Sequence, residues 1–318
     1  MTAQQAAAFL RTRDRFLILT HQFPDGDTLG SAFALCLALQ ALGKQARVGT
    51  VGPLPARYAF LAAPVPAQPD FEPETVCAVD VADRALLGEE NARLYGERVA
   101  LNIDHHGTAR AFAAQTLCRP VAAACMLVRE VIGQLGVPLT PAIADCLYTG
   151  LATDTGCFRY SNTTAEVFLL AAELTTAGAR TEEINRLMFE TKPRGMIQLE
   201  QAALQSLHYA LHGRVALMAV TRAMLQESGL DDSQVEGLAA VPRQIEGVWV
   251  GLTFREKPDG GFKISIRTGP EADAAAIGAA LGGGGHLRAA GCSLELPLEQ
   301  AQQRLLDVVA AVVPEITL

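Results

Sequence analysis

At 318 residues the chain has room for two domains of ordinary size, each with its own buried core. Half of the residues are hydrophobic and 19% are charged, a balance that excludes a disordered or fibrous chain and suits a globular α/β protein. The formal charge of −8 excludes a general basic surface that would grip long nucleic acid through many phosphates, so an anionic substrate has to be held locally.

The first twenty residues lack the basic and then apolar pattern of a secretory leader, and no apolar run approaches the roughly 18 residues of a membrane span. A cytoplasmic protein without membrane contact is therefore expected. Residues 15–20 read as a strand, 29–42 as a helix, and 46–51, 75–80 and 99–104 as further strands. Short β-runs separated by helices or long connections predict a parallel sheet covered on both faces. From 122 to about 187 the apolar spacing turns helical, with Gly133, Gly136, Pro138 and Gly178 as punctuation.

The stretch Thr191-Lys192-Pro193-Arg194-Gly195 reads as the interdomain connection, followed by a helical run over 198–211. This divides the chain into a first domain over 1–190, a helical linker over 191–212 and a second domain over 213–318. The second domain offers a strand at 214–220, helical stretches to about 245, and a hairpin of 248–255 and 262–267 around Pro258-Asp259-Gly260-Gly261. A glycine run at 282–285 and a last helix from 298 follow. The expected fold class is thus α/β, a parallel sheet with flanking helices, joined to a smaller α+β domain. Seven cysteines, an odd number without a Cys-x-x-Cys pair, read as reduced core thiols.

Chemistry-bearing residues follow the predicted strands, and the carboxyl ends of parallel strands line the ligand crevice. After the first strand comes His21-Gln22-Phe23-Pro24-Asp25-Gly26-Asp27, after another comes Asp80, and a third ends in Asp104-His105-His106. A helical stretch leads into Thr153-Asp154-Thr155-Gly156, with Phe158-Arg159-Tyr160-Ser161-Asn162-Thr163-Thr164 behind it. Taken singly, each has a plain reading: Asp25-Gly26-Asp27 as a turn with a helix N-cap, Asp80 as a solvated strand end, Asp154 as the start of an Asx-turn.

Taken together they read differently. Four carboxylates converging on one crevice would repel one another and shift their own protonation unless cations neutralised them. Two divalent ions balance four aspartates and leave charge to draw a phosphate. Mixed carboxylate and imidazole ligands favour Mn²⁺, with Mg²⁺ and Zn²⁺ as the other candidates.

The ordered set His21-x-x-x-Asp25-x-Asp27, Asp80, Asp104-His105-His106 and Thr153-Asp154-Thr155 resembles the DHH phosphoesterase family, and Gly282-Gly283-Gly284-Gly285-His286-Leu287-Arg288-Ala289-Ala290-Gly291 resembles the glycine-rich signature of the DHH-associated domain of the first type. Within the family, chain length and the type of second domain match the compact bacterial nano-RNase and pAp phosphatase group, with phosphodiesterases of cyclic di-AMP or linear pApA as the alternative. The resemblance implies His21 and Asp25 on one metal, Asp27, His105 and Asp154 on the other, and Asp80 between the two. It implies His106 as a phosphate contact or proton donor, Asp104 as the group that orients an imidazole, and Asp80 as part of the catalytic set. Gly283, Gly284, Gly285, His286 and Arg288 would hold the substrate together with Arg267 and Arg159. Thr268 departs from the serine expected at that place. The implied partners are short single-stranded RNA or small nucleotides, not long duplexes or membranes, and the chain is expected to act as a monomer or homodimer.

Overall fold

The computed structural model describes residues 1–107, 111–230 and 235–317. Two compact units divide it, Met1–Thr191 and Lys192–Leu318. The first is built on five strands, β1 (Phe16–Leu19), β2 (Ala46–Gly49), β3 (Thr75–Val79), β4 (Val99–Asp104) and β5 (Gln115–Cys118). All pair in parallel, in the order β2-β1-β3-β4-β5. Its helices are α1 (Ala3–Arg11), α2 (Gly26–Ala41), α3 (Ala59–Ala62), α4 (Glu89–Tyr95), α5 (Ala124–Leu135), α6 (Pro141–Asp154), α7 (Ala165–Thr176) and α8 (Thr181–Asn185).

Strands β1 and β3 are buried along their whole length, because alternate residues enter different cores. Phe16, Ile18, Cys77 and Val79 pack with residues of α1, α2, α5 and α6. Leu17, Leu19, Val76 and Ala78 join Val81 and Leu87 in another cluster, with Ala92 and Tyr95 of α4 against it. The strand order reverses direction between β1 and β3, which opens a crevice beyond their carboxyl ends.

Helix α2 starts in that crevice and is buried over most of its length, so it is apolar all round and not two-faced. Glycines let it touch α6 backbone to backbone: a Cβ at Gly30 would lie 2.2 Å from the Cys146 carbonyl oxygen, and one at Gly150 would lie 2.6 Å from Asp27 Oδ1.

The second unit has a six-stranded sheet of β6 (His208–Ala210), β7 (Val215–Val220), β8 (Val250–Glu256), β9 (Phe262–Thr268), β10 (Gly284–His286) and β11 (Ala289–Leu294), in the order β10-β11-β9-β8-β7-β6. Only the β7–β8 pair among these is parallel. Helices α9 (Arg194–Gln205) and α10 (Arg222–Ser228) precede α11 (Ala274–Ala279) and α12 (Leu298–Val312). Val215 and Leu217 share a core with Ile277, Leu305 and Val309, while Met218 and Val220 share one with Met196, Leu199 and Leu225.

Several sequence expectations change here. The helical run expected over 198–211 ends at Gln205, and His208–Ala210 pairs as an edge strand. Helix α9 is no free linker either, since Met196, Leu199 and Ala203 are buried in the second unit's own core. The glycine run supplies β10, an edge strand, and Leu287-Arg288 forms the tight connection to β11. Strand β5 and helix α11 escaped the periodicity, the one for its polar composition and the other for its brevity. Among the described residues no helix is long and apolar enough to cross a membrane.

Candidate metal centre

Asp25 is the N-cap of α2, and its Oδ1 accepts the backbone N–H groups of Asp27 at 3.0 Å and Thr28 at 3.1 Å. Asp27 then lies on the first turn, fully buried. Its carboxylate accepts from the Ser31 hydroxyl at 3.2 Å, from Cys125 N–H at 2.9 Å and from Ala124 N–H. The last two donors are the opening N–H groups of α5, whose own N-cap Ala123 offers no side chain to them. Thr28 fastens the crevice from behind: its hydroxyl donates to the Val79 carbonyl at 3.0 Å and accepts His21 N–H at 3.4 Å.

Asp80 follows β3 directly and takes a left-handed backbone, φ 58°, held by its N–H bond to the Ile103 carbonyl at 2.8 Å. That conformation puts its carboxylate among three imidazoles. His21 Nε2 lies 3.7 Å from Asp80 Oδ2 and 3.6 Å from Asp25 Oδ1. His105 Nε2 lies 3.4 Å from Asp80 Oδ1, 3.4 Å from Asp154 Oδ2 and 3.9 Å from Asp27 Oδ2. His106 Nδ1 lies 3.6 Å from Asp80 Oδ1 and makes a 2.8 Å hydrogen bond with Asp104 Oδ1. The Nδ1 of His105 bonds the Val121 carbonyl at 3.0 Å, so that nitrogen carries a proton and Nε2 is the atom left to face the carboxylates or an ion between them.

Three ligand-like groups result: His21, Asp25 and Asp80; Asp27, His105 and Asp154; and Asp80, His105 and His106. All of these but the buried Asp27 line a cavity of about 260 Å³ walled on its apolar side by Phe23 and Leu86.

The electrostatics fit a cation. Burial, followed by the field of Asp80, pushes the Asp27 carboxyl up to about 7. Burial and the neighbouring aspartates push Asp154 up to about 9. Burial opposes charge on His21 and His105, but hydrogen bonds and fields from Asp25 and Asp80 in the one case, and from Asp80 and Asp27 in the other, carry each up to about 10. For Asp80 burial is outweighed by the two imidazoles, which hold it below the usual carboxylate range. Without metal the cluster must keep protons that divalent cations would replace. Asp80 Oδ1, moreover, is buried without a well-formed hydrogen bond, the His105 Nε2 lying 3.4 Å away, as suits an oxygen placed to take an ion.

His21, Asp25, Asp27, Asp80, Asp104, His105, His106 and Asp154 thus meet in one place. Arg159 does not line the cavity: it is exposed, and its Nε donates to the Gly156 carbonyl at 2.6 Å. Arg267, Gly283, Gly284, Gly285, His286 and Arg288 belong to the second unit, on β9 and the β10–β11 hairpin. There Arg288 is partly committed to structure, because its Nη1 donates to the carbonyls of Gly269 and Ala272. Thr268 holds the hairpin turn, its hydroxyl donating to the Leu287 carbonyl at 3.2 Å. Sequence reasoning missed Thr28, Phe23, Leu86 and the Val121 carbonyl. Only Phe23 carried a signal, an aromatic between two candidate ligands.

The profile of the DHH family N-terminal domain matches residues 15–151, and that of the DHHA1 domain matches 213–315. A Thermus thermophilus protein named bifunctional oligoribonuclease and PAP phosphatase NrnA is 36% identical, over 92% of this chain and 88% of its own length. The crystal structure of an exopolyphosphatase-related protein from Bacteroides fragilis superposes with a TM-score of 0.88 at 22% identity, covering 99% of this chain and 97% of that one. The exonuclease RecJ of Thermus thermophilus, crystallised with Mn²⁺, shares the fold at a TM-score of 0.56 and 17% identity, covering 98% of this chain and 55% of that one.

Proposed function

The chain belongs to the DHH phosphoesterase family, and from that premise we propose that it hydrolyses short oligoribonucleotides to mononucleotides and adenosine 3′,5′-bisphosphate to AMP and phosphate. The observation that carries the proposal is the joint placement of four aspartates and two imidazoles around one crevice, with the Asp80 carboxylate turning Oδ2 to His21 and Oδ1 to His105. In this reading His21, Asp25 and Asp80 hold one divalent ion, and Asp27, His105, Asp154 and again Asp80 hold a second. Oxygen ligands with imidazole suit Mn²⁺ better than Mg²⁺. When bound, such ions supply the charge that draws an anionic phosphate and makes water a nucleophile near neutral pH.

The remaining work falls to the chain's own groups. His106 is the most open of the three imidazoles, with 40% of its side chain exposed against 14–15% for the others. Its Nδ1 is held by Asp104, which leaves Nε2 to contact a phosphate oxygen or to protonate the departing one. Asp104 also raises the pKa of His106, ahead of the opposing effect of burial, which favours the protonated ring. Phe23 and Leu86 form an apolar wall beside the phosphate position, suited to a nucleoside and ill suited to a bare inorganic anion. In the second unit, His286, Arg267 and the glycine hairpin offer donors suited to an anionic group of a nucleotide.

The test is turnover in Mn²⁺ of a matched set: a dinucleotide RNA, a five-residue RNA, adenosine 3′,5′-bisphosphate, linear pApA and cyclic di-AMP, with Asp80→Ala as the blank. Fast hydrolysis of the short RNAs and the bisphosphate supports the proposal. Turnover confined to cyclic di-AMP or pApA, or equal turnover by the blank, overturns it.

A further inference from the structure

One five-residue segment is tied to three of the four ligands proposed for a single ion, to two of them directly and to the third through Asn162. The Val121 carbonyl accepts from His105 Nδ1 at 3.0 Å, and the N–H groups of Ala124 and Cys125 hold the Asp27 carboxylate. Between them, the Ala122 carbonyl accepts from Asn162 Nδ2 at 3.1 Å, and the same Nδ2 donates at 3.1 Å to the backbone carbonyl of Asp154. Asp27, His105 and Asp154 are one of the three ligand groups, while none of these bonds reaches the side chains of His21 or Asp25.

We propose that Asn162 is a positioning residue for the ion held by Asp27, His105 and Asp154, acting by clamping the end of α6 to the segment 121–125 that orients the other two ligands. The inference rests on the two-ion reading above. Two features of the chain support it. First, one NH₂ group bridging two carbonyl oxygens is a task only an amide side chain performs at this size, since a carboxylate has no proton to offer and a hydroxyl has one. Asn162 Oδ1, meanwhile, is buried without a donor, so the side chain is placed there for its N–H groups. Second, the loop that the clamp closes is strained: Gly156, Cys157 and Phe158 follow one another with φ of 56°, 57° and 63°. Successive left-handed residues are strained where a Cβ is present and persist only where surrounding bonds hold them. Without Asn162 the end of α6 loses its tie to the Ala122 carbonyl, and the Asp154 carboxylate there loses part of its fixed direction.

The test is Mn²⁺ binding by the full-length protein, followed by equilibrium dialysis and electron paramagnetic resonance, for wild type, Asn162→Ala and Asn162→Asp. The aspartate variant keeps shape while removing the donors, so it stands in should the alanine variant fail to fold. The expected result is two ions per wild-type chain, and in each folded variant one ion weakened about 10–100-fold with the other unchanged. The resonance signal should then pass from a coupled pair to an isolated Mn²⁺ at limiting metal. Two ions bound with wild-type affinity by the variants, or both weakened equally, overturns the role of Asn162 alone. Fewer than two ions on the wild-type chain overturns the two-ion reading and this inference with it.

Discussion

The two units place their polar groups in opposite ways. In the first, Asp27 and Asp104 are fully buried and Asp80 nearly so, each fixed by backbone geometry or a neighbouring ring. In the second, Gly284, Gly285, His286 and Arg288 all stand exposed on an edge hairpin. Buried carboxylates are tolerable only where cations or protons compensate them, so the first unit is organised before any substrate arrives. Exposed donors on a sheet edge cost nothing until a partner comes, and they suit selection of substrate more than the chemical step. The comparison therefore predicts that damage to the first unit removes metal and turnover together, while damage to the second leaves metal in place.

The largest effect is expected from Asp80→Ala, which removes the carboxylate facing both ligand groups. Several kcal/mol of transition-state stabilisation, more than about 10³-fold in kcat/KM, should be lost. Mn²⁺ stoichiometry should fall with it in the same preparation. His286→Ala should lower kcat/KM about 10–100-fold, the worth of one charge-assisted hydrogen bond, with Mn²⁺ affinity unchanged by titration. Parallel loss of metal in that variant would erase the contrast between the units. Gly150→Ala sharpens it from within the core: its Cβ would press on Asp27 Oδ1 and Asp27 Cα, at 2.6 and 3.2 Å, and on Cys125 Cβ at 3.0 Å. We expect about 1–3 kcal/mol of destabilisation in urea melts, together with weaker Mn²⁺ binding.

The protonation of the cluster gives a pH signature. His21 and His105 rise from 6.5 to about 10, so the stability they contribute is full below about 6.5 and is lost as pH climbs towards 10. Asp154, raised to about 9, works in the same direction, because folding favours its neutral form. Asp80 is held down and stays ionised throughout that range, so it does not oppose the trend. Metal-free protein should thus lose thermal stability between about pH 6.5 and 10, while Mn²⁺, which takes the place of the protons, should stabilise it increasingly over the same range. Calorimetry with and without chelator reads both slopes. The smallest effect is expected for Phe23→Ala, a several-fold rise in KM for nucleotides with kcat nearly constant, since it removes one apolar wall of the cavity.

Much of the site was legible because its residues are strand-end punctuation. His21, Asp80 and Asp104 each stand at the end of a mostly apolar β-run, and the parallel-sheet rule sends such positions to one edge. What the sequence concealed was the fastening. Thr28, Val121 and Asn162 act through backbone partners far along the chain, and no local pattern marks a carbonyl that will meet a histidine from another loop. In the second unit the glycine run carries no alternation, so nothing distinguished the edge strand β10 from a turn. Helix α9 carried a correct helical spacing, but spacing alone does not say which core a helix joins, and its burial is what assigns it to the second unit.

The most direct test of the metal assignment is anomalous diffraction from crystals soaked in Mn²⁺. The account predicts two peaks about 3.5–4 Å apart, with Asp80 between them, His21 and Asp25 beside one, and Asp27, His105 and Asp154 beside the other. A single peak, or two peaks with Asp80 bound to neither, would contradict it.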